Sequence, residues 1–210
     1  MNPLRLITAA AVAFLCCAHA ARATTVIPPS LDELVEASAS VVRTHVLDAR
    51  CEWRGTGEER HIVTLVTFAV DESIVGTTEA TMELEFLGGE IDGERFFVVG
   101  QPQFKPGHED ILFVSRESNV ITPLVRMMYG RYLVDRRDDG RALVARIDGT
   151  PLLALDQVSA PLGTAPSEEV MAMILAADPY TPDRFCDAVR DIARQQGRSD
   201  VSANQGGAQK

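Results

Sequence analysis

The sequence predicts a mainly β fold, a small β-barrel with a short N-terminal helix and one or two C-terminal helices. Three observations carry this. Short runs rich in β-branched residues, separated by turn signals, fill the middle of the chain. One of them, His61 to Ile74, is apolar on both faces, as expected of a strand wrapped into a barrel. Helix caps occur only near the two ends, at Ser30 and again at Ser167 and Thr181.

The elements follow in order. Ser30 with Glu33 three residues on forms a capping box, and Leu31, Leu34 and Val35 give that helix an apolar face before it ends at Ala37–Ser40. Val41 to Leu47 is a strand that can run on to Trp53 with a bend near Asp48, and Arg54 to Glu58 is a turn. In the long strand, Ile62, Thr64, Val66, Phe68 and Val70 share one side. Val75 to Thr78 turns the chain. Met82, Leu84 and Phe86 then alternate with Glu83 and Glu85, the pattern of a half-buried strand. Residues 88–107 hold five glycines and two prolines around Phe96-Phe97-Val98-Val99, and read as a long structured loop with room for a short hairpin. Strands are expected at Ile111–Val114, Val120–Val125, Gly130–Asp135 and Arg141–Ile147, the last two joined by Asp139-Gly140. Ser167 caps a helix over Glu168–Ala177. Thr181-Pro182-Asp183 opens another to about Gln196 with Phe185, Val189 and Ile192 as its stripe.

Four segments result: a leader at 1–23, a β domain at 24–160, a helical segment at 161–196 packed on it, and a disordered tail at 197–210. Residues 1–23 have the order of a secretory signal: Arg5, an apolar run from Leu6 to Ala20, then Ala21-Arg22-Ala23. Cleavage after Ala23 sends the chain to the periplasm or the medium without a transmembrane anchor. The residues before Cys17, Phe14-Leu15-Cys16, are not the small ones that lipoprotein processing prefers.

Cleavage removes two of the 20 basic residues and none of the 30 acidic ones, so the net charge falls from −10 to near −12. Such a surface repels phosphate backbones, which argues against nucleic acid as a partner. Of the four cysteines, Cys51 and Cys186 remain. In an oxidising compartment they either bridge, worth about 4–5 kcal/mol in the chain-entropy model, or stay as two separately buried thiols.

The residues Leu34-Val35-Glu36-Ala37, Val41-Val42, Trp53, Ile62-Val63-Thr64 and Phe68-Ala69-Val70-Asp71-Glu72 form a pattern. It continues through Gly88-Gly89, Gly100-Gln101-Pro102-Gln103-Phe104-Lys105-Pro106-Gly107 and Ile111-Leu112-Phe113-Val114. Over roughly residues 30–135 this resembles a family of uncharacterised secreted bacterial proteins with a G-x-P-x-F-x-P-G loop. Thr44 stands where that pattern has glycine, Val75-Gly76 replaces its lysine-glycine turn, and His108 replaces its glutamate. The same layout resembles the netrin-like, metalloproteinase-inhibitor type of OB barrel. In inhibitors of that type an N-terminal cysteine chelates the protease zinc. The expected mature start, Thr24, supplies none before Cys51.

No catalytic, cofactor or metal motif is recognisable. His45, His61 and His108 form no H-E-x-x-H or His-x-His arrangement, and no G-x-S-x-G or phosphate-binding loop occurs. The leading expectation is a monomeric, cofactor-free, non-enzymatic domain that binds an extracytoplasmic protein, such as an exported protease or envelope component. Its candidate surface is Phe96, Phe97, Gln101, Phe104 and His108. For Trp53 and Phe104 the alternative is packing at the barrel ends. The competing functional expectation is a metal-dependent or other hydrolase using His108, Glu109 and Asp110 with His61 or His45.

Overall fold

The computed structural model describes residues 27–117 and 122–198. The leader, the Thr24 terminus, and residues 199–210 of the expected tail lie outside the described residues. Helix α1 is Leu31–Ala37, with the Ser30–Glu33 capping box formed in both directions. It is followed by β1 (Ser38–Arg54), β2 (His61–Val75), β3 (Thr81–Leu87), β4 (Gly89–Ile91), β5 (Glu94–Phe96), β6 (Glu109–Ser115), β7 (Arg131–Arg136) and β8 (Ala142–Ala145). Helices α2 (Glu168–Ala176) and α3 (Pro182–Gln195) end the described chain, capped by Ser167 and Thr181. Strand outweighs helix, with helices at both ends of the chain order.

One antiparallel sheet organises the molecule in the order β3-β2-β1-β6-β7-β8, with β4 and β5 forming a separate hairpin inside the 88–107 loop. No pairing between β3 and β8 is present among the described residues, so the hydrogen-bond ladder is open at both ends. Of the strand expected at Val120–Val125, the described residues Thr122–Val125 do not form a strand of their own. Leu124 makes only an isolated bridge to Val114, while Val120 and Ile121 lie outside the described residues.

Each face of the sheet carries its own core. On one face α1 and α3 pack Leu34, Val35, Phe185 and Val189 onto Val41, Ile111, Phe113 and Tyr132. On the other, Val42, Val46, Val66, Phe68, Leu84, Phe86 and Leu112 are covered by Phe104. Strand β1 serves both by alternation, Val41 on one face and Val42 on the other, and its register against β2 shifts three times. The last shift inserts Leu47 between Val46 and Asp48 and so reverses the parity of the strand. Val46 and, beyond the bulge, Ala49 and Cys51 therefore stay on the same face, and the charges of Asp48, Arg50, Glu52 and Arg54 turn to the other.

Asp110 and Arg131 are buried on this second face, beside Phe104. Arg131 Nε and Nη2 donate to the two Asp110 carboxylate oxygens at 2.8 and 3.1 Å, and the Asp110 side chain has no exposure. Burial pushes the Asp110 carboxyl above its ordinary range, and Arg131 pulls against that.

Of the two arrangements open to Cys51 and Cys186, the bridge is absent: both are free thiols, Cys186 buried and Cys51 half-buried. Cys51 sits at the far end of β1 beside Thr64, whereas Cys186 lies in the helix-side core near Arg43 and Glu72. Arg43 and Cys51 are eight residues apart on one strand, roughly 25 Å, beyond any disulfide reach. Of the segment expected as a tail, Gly197 and Arg198 are described: the Arg198 guanidinium donates to the carbonyls of Val35, Ser38 and Ala39.

Three outcomes test this architecture. Arg131→Ala leaves a buried carboxylate without its cation and should cost about 3–5 kcal/mol in urea unfolding, whereas replacing both partners by apolar residues should cost less. Burial pushes the Cys186 thiol up to about 12. The unfolded chain sheds this proton first, so stability should fall as pH rises from the ordinary thiol value towards 12, and Cys186→Ala should flatten that limb. Alkylation of the native protein, read by peptide mapping, should modify Cys51 well before Cys186.

Candidate functional site

The long loop leaves β3 at Leu87 and returns at Glu109, and its two ends are held by different means. At the first, Gly88 and Gly89 have φ of 110° and 144°. A Cβ on Gly89 would stand 2.6 Å from Cys51 Sγ and 2.8 Å from Thr64 Oγ1, so only glycine lets the backbone lie directly on β1 and β2. Thr64 Oγ1 donates to the Gly88 carbonyl at 2.7 Å. At the other end Arg131 donates to the Gln103 carbonyl at 2.6 Å and stacks on the Phe104 ring at 4.1 Å. The Phe104 ring meets Phe68 edge-on at 5.2 Å and Phe86 at 4.9 Å.

Between these anchors the loop carries apolar side chains into solvent. Phe96, Phe97 and Val99 are 43%, 60% and 94% exposed. Beneath them a cavity of about 610 Å³ is floored by Ala49, Cys51, Thr64 and Phe86 and walled by Val98, Pro102 and Phe104. Gln101 also lines it. Of the expected surface residues, Phe96 and Phe97 are exposed, while Phe104 is turned inward as a plug of the sheet's second core. Trp53 is half-buried under the Arg60 guanidinium, 3.6 Å from its ring. His108 is exposed but belongs to a different recess.

That recess lies on the helix side of the sheet, with a volume of about 780 Å³. His45 and Glu109 face each other across β1 and β6, and Asp71, Glu72, His108 and Arg136 complete its wall. His45 Nδ1 lies 2.9 Å from Asp71. Glu109 is held by Arg43 at 2.6 Å and by Arg136 at 2.5 Å, and Arg43 also reaches Asp183 at the start of α3.

The tertiary structure thus brings together His45, His108 and Glu109 and separates the rest of the expected hydrolase set. Asp110 follows Glu109 on a strand, points to the opposite face, and is committed to Arg131. His61 lies at the far end of the β1–β2 hairpin, bonded to the Glu59 carbonyl. No group of three or more His, Cys, Asp or Glu residues placed to hold a metal occurs among the described residues. A His–carboxylate pair can act as the base and its orienting group, but among the described residues no Ser, Thr or Cys lines this recess to serve as nucleophile. Sequence reasoning missed Arg43, Asp71, Glu72 and Arg136. The one available signal was Arg43, a cation set among the β-branched residues of an otherwise apolar strand.

The two roles of the loop's aromatic residues separate in unfolding experiments. Phe104→Ala should cost about 1.5–3 kcal/mol, as for a partly buried ring packed on Phe68 and Phe86. Phe97→Ala should stay within about 0.5 kcal/mol, as for an exposed side chain. Equal losses would remove the distinction between plug and surface. No protein-family model, no curated protein and no solved structure matches this chain.

Proposed function

We propose that this chain is an exported, non-enzymatic binding module that presents its 88–107 loop to an extracytoplasmic protein in the periplasm or the medium. One observation carries the reading: Phe96, Phe97 and Val99 are held in water over an apolar cavity, on a loop anchored at both ends. Contiguous exposed apolar groups on a fixed support favour association, because a partner removes them from water at little cost in loop ordering. An exported protease or an envelope component fits the expected compartment.

The finer fold reading, an OB-like barrel of the netrin or inhibitor type, belongs to this proposal. It is supported by the β1–β2–β3 meander, the long bulged first strand, and a linker that crosses one face of the sheet before β6. The likeness to the secreted family with the G-x-P-x-F-x-P-G loop rests on Gly100 to Gly107, where Phe104 is the partly buried anchor. The alternative, a metal-dependent or other envelope hydrolase, has the His45–Asp71 pair in its favour and the two arginines on Glu109 against it.

The test is capture from envelope extract with the wild-type protein and with Phe97→Ser/Val99→Ser. The expected result is an exported protein retained by the first and lost from the second at unchanged stability. Retention by both, or stoichiometric zinc in the purified protein that His108→Ala removes, would overturn the reading.

A further inference from the structure

Strand β1 continues past its last neighbour on one side. Its register with β6 ends at His45, and Val46 closes that side with backbone bonds to His108 and Gly107. From Asp48 to Arg54, β1 pairs only with β2 among the described residues. Hydrogen-bond parity identifies the backbone groups left over. On β2, Ile62 O accepts from Gly88 N and Val70 N donates to Ala80 O, so even-numbered residues face β3 and odd-numbered ones face β1. The β1 residues opposite Val63 and Leu65 are Glu52 and Arg50, whose backbone groups are therefore used within the sheet. Those of Ala49, Cys51 and Trp53 point to the open side.

This edge is complementary to itself. When Asp48-Ala49-Arg50-Cys51-Glu52-Trp53-Arg54 is laid antiparallel on a second copy about Cys51, Arg50 falls opposite Glu52 and Asp48 opposite Arg54. Both charge pairs then occupy the non-hydrogen-bonded positions, where side chains approach most closely. Ala49, Cys51 and Trp53 occupy the hydrogen-bonded ones and supply about six bonds between the copies. The other free edge behaves differently. Centred on Leu84, β3 would set Glu83 against Glu85, a like-charge pairing that protects it. β8 is already occupied, since Val144 bonds to Tyr180 and Leu152. Phe96 and Phe97 line the cavity that Ala49 and Cys51 floor, so a copy added here shelters part of their exposed surface.

We propose that the chain forms a two-fold dimer by antiparallel pairing of the Asp48–Arg54 edge of β1, centred on Cys51. The inference stands on this edge and not on the identity of any partner of the loop. Sedimentation of the purified protein at about 0.1 mM in reductant should show a dimer. Amide exchange at Ala49, Cys51 and Trp53 should slow as concentration rises. Mild oxidation should link the two copies through Cys51, and Cys51→Ser but not Cys186→Ser should abolish the link. Asp48→Lys should raise the dissociation constant about tenfold, and adding Arg54→Glu should restore it by exchanging the charges. A monomer under these conditions, or a dimer whose three amides stay unprotected, would overturn the proposal. Envelope capture read on loop variants with β1 intact reports separately on the loop.

Discussion

The buried pair of Asp110 and Arg131 is the interaction on which the arrangement of the chain depends. Taking both charges out of water is costly, and the attraction between them recovers that cost only with good geometry and full hydrogen bonding. Here two parallel bonds join guanidinium to carboxylate, a third reaches the Gln103 carbonyl, and the planar cation lies on the Phe104 ring. One arginine on β7 thereby joins the middle of the sheet to the end of the long loop. The loop in turn closes the apolar face that β1, β2 and β3 would otherwise expose.

A second constraint is that β1 must serve two cores. A regular strand of its length would keep one parity throughout and leave one face mismatched over half its length. The bulge at Leu47 corrects the parity at the point where the chain entering β6 leaves the side of β1. The local cost of an unpaired residue is offset by placing Ala49 and Cys51 beneath the loop and the charged residues on the opposite side. The same departure leaves the end of β1 without a neighbour and opens the cavity next to it.

The two recesses differ in chemistry because they lie on opposite faces. In the helix-side recess most charges are paired, with Glu109 shared between two arginines, Glu72 joined to Arg190 from α3 and Asp71 bonded to the His45 ring. Such a network favours a fixed structure over a reacting group. The loop-side cavity is apolar with exposed aromatic edges, and its free energy is unspent until something covers it. This contrast is why the functional reading rests on the loop.

Much of the fold was legible in the amino-acid order. The Ser30–Glu33 capping box, the both-sided β2, the alternation of β3 and the Thr181-Pro182 helix start are encoded within a few residues, where propensity, capping and burial pattern agree. The loop was legible as a loop, and its exposed Phe96-Phe97 pair as a surface. The charge order of Asp48–Arg54 is local, but the tertiary pairings decided that this stretch is a free edge and which of its backbone groups face outward. What only the tertiary structure decided are the long-range pairings: Arg131 with Asp110, Phe104 with Phe68, His45 with Asp71, and Cys51 kept apart from Cys186. The physical reason is that side-chain partners across strands are set by register. A single inserted residue, the bulge at Leu47, reverses which side every later residue of β1 faces; the local sequence marks a bend near Asp48 but not this reversal.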